Sequence, residues 1–248
     1  MAFTYSTVSA LFTAICDAIR AKTGGSAAID HQDIPAAITN LPSGGGCEGI
    51  LDNTVIDLVD HTAIKVTAFK MQNASALMSV DLPEVADLEE SAFTSAFSSS
   101  VVAPATFPKV MSIAKNAFAY GAPVGLRFPV LTTCSGTLQF RCYQLASIDL
   151  GNLSTIGKIF DYAPALKVLA LRRSATTTLS TQLPTCPVLS GTGYVLVPRA
   201  RISGYESATN WSAIKAAGSS FLALEDYTVD GTTTGLLDET KINALLAA

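Results

Sequence analysis

The sequence predicts an α+β solenoid of about seven coils with short parallel strands, preceded by a small helical segment and closed by a helical cap. Three observations predict it. First, apolar residues recur in one frame: Leu77, Val80, Leu82, Val85 and Leu88, then an Ala92-Phe93 pair. Second, the frame returns at Val102, Ala105, Phe107, Val110 and Ile113 with Ala117-Phe118, and at Leu145, Ile148, Leu150, Leu153 and Ile156 with Phe160. Third, 49% of the 248 residues are hydrophobic and only 15% are charged. That balance suits a continuous core under a Ser/Thr-rich exterior and not a disordered chain.

Taken in order, residues 1–45 form the first expected unit, a helical anchoring and assembly segment. An amphipathic helix is expected over 7–23, with Ser6 or Thr7 as cap and Gly24-Gly25 as stop. Val8, Leu11, Phe12, Ile15 and Ile19 recur at helical spacing and make the candidate assembly face. Arg20 and Lys22 fall in the last turn, where the helix dipole favours cations. A second short helix is expected after Asp33, with Pro35 in its first turn. Pro42 to Gly46 reads as a flexible joint.

The second expected unit, 46–205, holds the coils. Besides the three clear copies, a looser one begins at 53 with Ile56, Leu58, Ile64 and Ala68-Phe69, and His61 in one apolar slot. Others begin at 123 (Leu126, Phe128, Leu131), at 166 (Leu166, Leu169, Leu171) and near 192 (Val195, Val197). The starts 53, 77, 102, 123, 145, 166 and 192 recur at a period of roughly 20–29 residues. In each copy the x-L-x-L alternation makes a short strand with one face inward. One coil cannot bury that face alone, so neighbours must stack on it. The third unit, 206–248, is a cap and tail helix. Asp238 caps the helix, and Leu237, Ile242, Leu245 and Leu246 share one face. That face is expected to dock on a neighbouring subunit, with docking on its own chain equally easy.

The L-x-x-V-D-L-P-x-V…A-F pattern, read at residues 77–93, resembles the BspA-like leucine-rich repeat, in which an Ala-Phe pair closes each coil. The resemblance covers about residues 51–205 and implies the repeat class, not one function. The usual asparagine position is apolar here, at Val85, Val110 and Leu153, so the asparagine-ladder type is not expected. Gly193 to Pro198, followed by Tyr205, Ala208, Asn210 and Trp211, resembles the coil and helix that end such arrays. Trp211 would then cover the open edge of the last coil. A second resemblance lies at Ala18, Ile19, Arg20, Lys22, Thr23, Gly24, Asp33, Pro35 and Ile38. These residues are similar to a short module of tail and tail-fibre proteins of phages and prophages of Gram-positive bacteria.

No catalytic, cofactor or metal constellation appears. His31 and His61 lie in different segments, no zinc-ligand spacing occurs, and G-x-S-x-G is absent. The cysteines Cys16, Cys47, Cys134, Cys142 and Cys186 are odd in number and form no C-x-x-C, so reduced, partly buried thiols are expected. A net charge of −4 and the lack of a cationic patch argue against a nucleic-acid partner. No apolar run is long enough to insert into a membrane. Met1–Thr7 carries no positive charge and Asp17 interrupts the following apolar run, so no signal peptide is read and synthesis in the host cytoplasm is expected.

On the strand face the outward positions are Asp57, Asp81, Thr106, Arg127, Asp149 and Ala170, and the opposite loops carry Tyr120, Tyr143 and Tyr162. Asp57, Asp81, Thr106, Arg127, Asp149, Tyr120 and Tyr143 are the candidate binding surface, although closure of the coils by packed tyrosines is an equally good reading. The resemblances imply a non-enzymatic phage virion protein of tail-fibre, baseplate or other surface type. Other virion proteins would bind its N-terminal segment, a host surface glycan or protein would bind its solenoid, and a homo-oligomer, favoured as a trimer, would form. The alternatives are a BspA-like adhesin on a bacterial cell surface and a capsid-decoration or head-fibre protein.

Overall fold

The structure, a computed structural model, describes residues 57–97, 103–121, 123–135, 140–157, 159–160, 162–180 and 186–248. The chain divides after Gly44 into two units, and all described residues belong to the second. The expected helices over 7–23 and after Asp33, the assembly residues Val8, Leu11, Phe12, Ile15 and Ile19, and the glycine joint lie outside them. So do Ile56 and Val102.

The described unit is α+β, with many short parallel strands and few helices. One set comprises β1 (Asp57–Val59), β3 (Ser79–Asp81), β5 (Ala105–Thr106), β7 (Gly125–Arg127), β9 (Ser147–Asp149), β11 (Val168–Ala170), β13 (Tyr194–Val197) and β14 (Ser220–Ala223). The alternating set comprises β2 (Lys65–Val66), β4 (Asp87–Leu88), β6 (Ser112–Ile113), β8 (Thr133–Cys134), β10 (Thr155–Ile156) and β12 (Thr178–Leu179). Among the described residues the sheets run β14-β13-β11-β9-β7-β5, β2-β4-β6-β8, β1-β3 and β10-β12. Every pairing between these strands is parallel. Parallel partners need a long crossover, and here each crossover up to β13 carries the next strand of the other set, whereas the one from β13 to β14 carries helices.

Register follows the apolar frame. Ala105, Leu126, Ile148, Leu169, Val195 and Phe221 pair in one row. Val66, Leu88, Ile113 and Cys134 pair in another. Both rows face one core cluster, apart from the partly buried Cys134 packed against it. A one-residue slip would turn either row out to water, so burial holds the register. Phenylalanines fill the remaining side. Phe93 stacks on Phe118 at 5.3 Å, Phe118 on Phe140 at 6.0 Å, and Phe107 on Phe128 at 5.2 Å. Backbone bonds between successive copies, such as Phe93 N to Ala117 O at 2.7 Å and Phe140 N to Ile159 O at 2.9 Å, satisfy the turns that carry these rings.

The first copy corrects one reading. Ile64 and Phe69 are exposed, and Ala63, Val66 and Met71 are buried in their place. Met71 N bonds to Ala92 O as Phe93 N bonds to Ala117 O, which aligns Met71 with Phe93 and Phe118. Phe69 instead aligns with Ser91 and Asn116. All three have left-handed backbones, with φ of 60°, 58° and 60°, and none of the three joins the phenylalanine stack: Phe69 is exposed, Asn116 half-buried and Ser91 buried. Ala68-Phe69 imitates the closing pair two residues too early.

The C-terminal region brings further corrections. Trp211 is fully buried, and its Nε1 donates to Thr177 O at 2.7 Å. It meets Tyr205 edge-on at 5.2 Å, and the Tyr205 hydroxyl accepts from Thr177 N at 3.0 Å. The sheet edge belongs to β14, paired residue for residue along β13 from Tyr194–Ser220 to Val197–Ala223. Trp211 therefore does not cover the β14 edge, because parallel pairing continues beyond 205; it packs inside and, with Asn210 Nδ2 donating to Leu179 O at 2.9 Å, meets the outer side of β12, the last described strand of the alternating set. Four short helices occur among the described residues: α1 (Pro187–Ser190), α2 (Ile202–Ser207), α3 (Trp211–Ala217) and α4 (Glu239–Ala247). Asp238 caps α4, accepting from Thr240 N at 3.0 Å. The helix docks on its own sheet, where Ile242 and Leu237 are buried with Val168, Ala170, Leu196 and Leu224.

Candidate functional site

Two faces carry the candidate residues. On the strand face Thr106, Arg127, Asp149 and Ala170 occupy one register row. Asp81 pairs with Val59 and Asp57 with Ser79, so Asp57 belongs to the other outward row. Asp57 and Asp81 are exposed: Asp57 Oδ1 accepts from Ser79 Oγ at 2.6 Å, and Asp81 Oδ2 meets His61 Nε2 at 2.7 Å. Thr106 is half-buried.

Arg127 and Asp149 do not lie on an open surface. Arg127 donates from Nε and Nη2 to the Glu239 carboxylate, both at 2.8 Å, and from Nη2 to Ser147 Oγ at 2.9 Å. Arg172 donates from Nε and Nη2 to Asp149 Oδ2 at 2.8 and 2.6 Å. Its Nη1 also reaches the carbonyls of Thr233 and Gly235 at 2.8 and 2.7 Å. The Arg172 and Asp149 side chains are 3% and 1% exposed. The tail supplies the matching carboxylate and carbonyls, so it closes over this half of the face. A cavity of about 160 Å³ remains beside Thr106, Arg127, Asp149, Arg172 and Glu239.

The loop side is open. Tyr120, Tyr143 and Tyr162 are 55%, 59% and 40% exposed. Tyr143 and Tyr162 meet edge-on with centroids 5.1 Å apart. Arg141 bridges the group: it pairs in register with Tyr162, places its guanidinium 5.1 Å over the Tyr120 ring and donates from Nη1 to the Tyr120 hydroxyl at 3.3 Å. Next to it runs a shallow groove of about 260 Å³ lined by Gln72, Ser91, Thr94, Asn116, Tyr120 and Arg141. The Thr94 hydroxyl donates to Asn116 O at 2.7 Å, tying two neighbouring turns together. Ser91, Asn116 and Tyr120 all hold positive φ. Tyr120 and Tyr143, expected in the binding surface, and Tyr162, expected on the loop side, are thus all three on this open side. Asn116 carries a signal in the sequence too, because asparagine, directly before Ala117-Phe118, is after glycine among the residue types that best tolerate a left-handed turn.

No protein-family model matches this chain, and no curated protein does. Its chemistry therefore has to be read from its own groups. Among the described residues no cluster of three or more His, Cys, Asp or Glu is arranged to hold a metal ion. Burial pushes the Cys134 and Cys186 thiols up to about 12 and that of Cys142 higher still, so none is poised as a nucleophile. No described helix is long and apolar enough to cross a membrane. The arrangement is suited to holding side chains still on a surface.

Proposed function

We propose that the chain is a phage virion structural protein of tail-fibre or baseplate type, built on a BspA-like leucine-rich-repeat solenoid that displays a fixed binding surface to the host. The observation that carries the display half is the row of tyrosines held open on in-register turns above a stacked phenylalanine core. The virion half is supported by the tail-protein pattern from Ala18 to Ile38. The mechanism is non-catalytic. Rigid copies hold the surface, the N-terminal segment joins the particle and a trimer, and several copies engaging together raise the overall strength of attachment.

Immunogold labelling with antibody to the full chain tests location. Gold on released particles is expected, and gold on the cell envelope with bare particles would refute the virion reading in favour of an adhesin. Light scattering tests assembly. The full chain should run as a trimer and an Ile15→Asp/Ile19→Asp variant as a monomer. A monomeric wild type would remove the N-terminal segment from assembly.

A further inference from the structure

We infer that the groove beside Tyr120 and Arg141 is an oligosaccharide-binding site, which names the ligand class for the display surface proposed above and rests on that reading. The lining supplies what a sugar requires. Gln72, Ser91, Thr94 and Asn116 carry uncharged amides and hydroxyls, which both donate and accept, as sugar hydroxyls do. Tyr120, Tyr143 and Tyr162 offer rings with an apolar body and a polar tip, which suits the C–H face of a pyranose and its equatorial hydroxyls.

A polypeptide fits less well, for two reasons. A protein interface is built round a packed apolar centre, and this groove offers no large aliphatic side chain: beside Ala119 and the Tyr120 ring, its lining is amide, hydroxyl and guanidinium. Strand addition needs unused backbone donors and acceptors. Here the turn amides are already engaged from copy to copy, with Ser91 N on Lys115 O at 3.0 Å, Ser95 N on Ala119 O at 2.8 Å and Tyr120 N on Arg141 O at 2.8 Å.

Length and stiffness point the same way. From Gln72 to Arg141 the groove crosses four successive turns, three steps of about 4.8 Å and roughly 14 Å in all; Arg141 at its end pairs in register with Tyr162, whose ring meets that of Tyr143. That span takes a chain of several sugars. The left-handed backbones of Ser91, Asn116 and Tyr120, at φ of 58°, 60° and 64°, hold the contacts in place before the ligand arrives. Binding then loses little to ordering of the site. The shallow volume makes each site weak, which several copies on one particle would offset.

The test uses the full chain on a printed array of defined neutral, amino and uronic-acid oligosaccharides, with an array of synthetic peptides beside it. Wild type should be retained by at least one oligosaccharide. Tyr143→Ala and Asn116→Gly should each weaken that retention roughly tenfold. Glycine keeps the positive φ while deleting the amide, and a thermal melt confirms that each variant is folded. Thr155→Ala, on an exposed position of β10, should bind as wild type does. The inference is overturned if no oligosaccharide is retained, if the Tyr143 and Asn116 variants bind as strongly as wild type, or if only peptides bind. Gold-labelled particles with a silent oligosaccharide array would sink the glycan site alone. Array binding with gold on the cell envelope would sink the virion reading alone.

Discussion

Replacing Arg172 by methionine should unlatch the C-terminal segment and destabilise the sheet beneath it. Methionine keeps most of the arginine stem's packing, so the loss isolates charge and hydrogen bonding. Asp149 would keep only the bond that its Oδ1 accepts from Gly151 N at 3.0 Å, and its carboxylate would stay buried without a counter-ion. The carbonyls of Thr233 and Gly235 would lose their donor as well. Removing one partner of such a pair costs about 3–5 kcal/mol. At about 2–4 °C per kcal/mol for a domain of this size, the midpoint should fall by about 6–20 °C. Calorimetry on the full chain measures it, and limited proteolysis should show earlier cutting between Thr228 and Asp238. An Arg172→Met/Asp149→Asn double variant should recover part of the loss, because no charge is left buried. An Arg172→Met midpoint within about 3 °C of wild type, or a double variant as unstable as the single, would refute this account.

Phe118→Ala should cost about 3–5 kcal/mol in a denaturant melt, since Phe118 stacks on both Phe93 and Phe140. Phe69→Ala, at a 48% exposed position, should change stability by less than about 0.5 kcal/mol. In native protein at pH 8, iodoacetamide should leave Cys142 and Cys186 unmodified and reach the half-buried Cys134 first of the three; unfolding should expose all three, as peptide mass spectrometry would show. Lys65 hydrogen-bonds Glu89 at 3.0 Å and, with a bond from Ala68 N, holds its carboxyl below the ordinary 4.5. The stability from this exposed pair is present above that value, fades as pH falls through the lower folded value and stays under about 1 kcal/mol. Melts of wild type and Lys65→Met should therefore differ slightly at pH 7 and converge near pH 3.

What was legible in the sequence was the part held by local pattern. Leu82, Val85, Leu88, Val110, Ile113, Ile148, Leu153 and Ile156 are all buried where the repeating frame puts them, because the spacing of two within a strand and of three along the turn that follows both return apolar side chains to the core. What was not legible depends on partners far along the chain. Arg127 and Asp149 read as outward positions, and they do leave the core side of the sheet. Nothing near them in sequence announces that Glu239 and Thr233–Gly235 return to cover them. The error at Phe69 has a different source. Composition cannot separate Ala68-Phe69 from Ala92-Phe93, and only the left-handed backbone and the interstrand bonds reveal the two-residue shift. Trp211 meets the outer side of β12, while β14 lies beyond the reach of the pattern because Ser220–Ala223 lacks an L-x-L signature.

The left-handed turns have a consequence for how this chain can vary. Phe69 and Asn73, Ser91 and Ser95, and Asn116 and Tyr120 hold φ between 55° and 65° in three successive copies, with no glycine among them. Each such residue is held at a local disadvantage of about 1–2 kcal/mol, except where asparagine softens it. Glycine would relieve that strain but give back roughly 0.4–1 kcal/mol by freeing the unfolded chain, so the net change at any one position is small. Drift among serine, asparagine and glycine at these six positions is therefore close to neutral for folding. At Ser91, Asn116 and Tyr120, which line the groove, each exchange still alters the side chain that a ligand would meet. The outer turns can diversify in what they touch while the stacked interior stays the same, which is the kind of latitude a surface under selection from a changing counterpart would exploit.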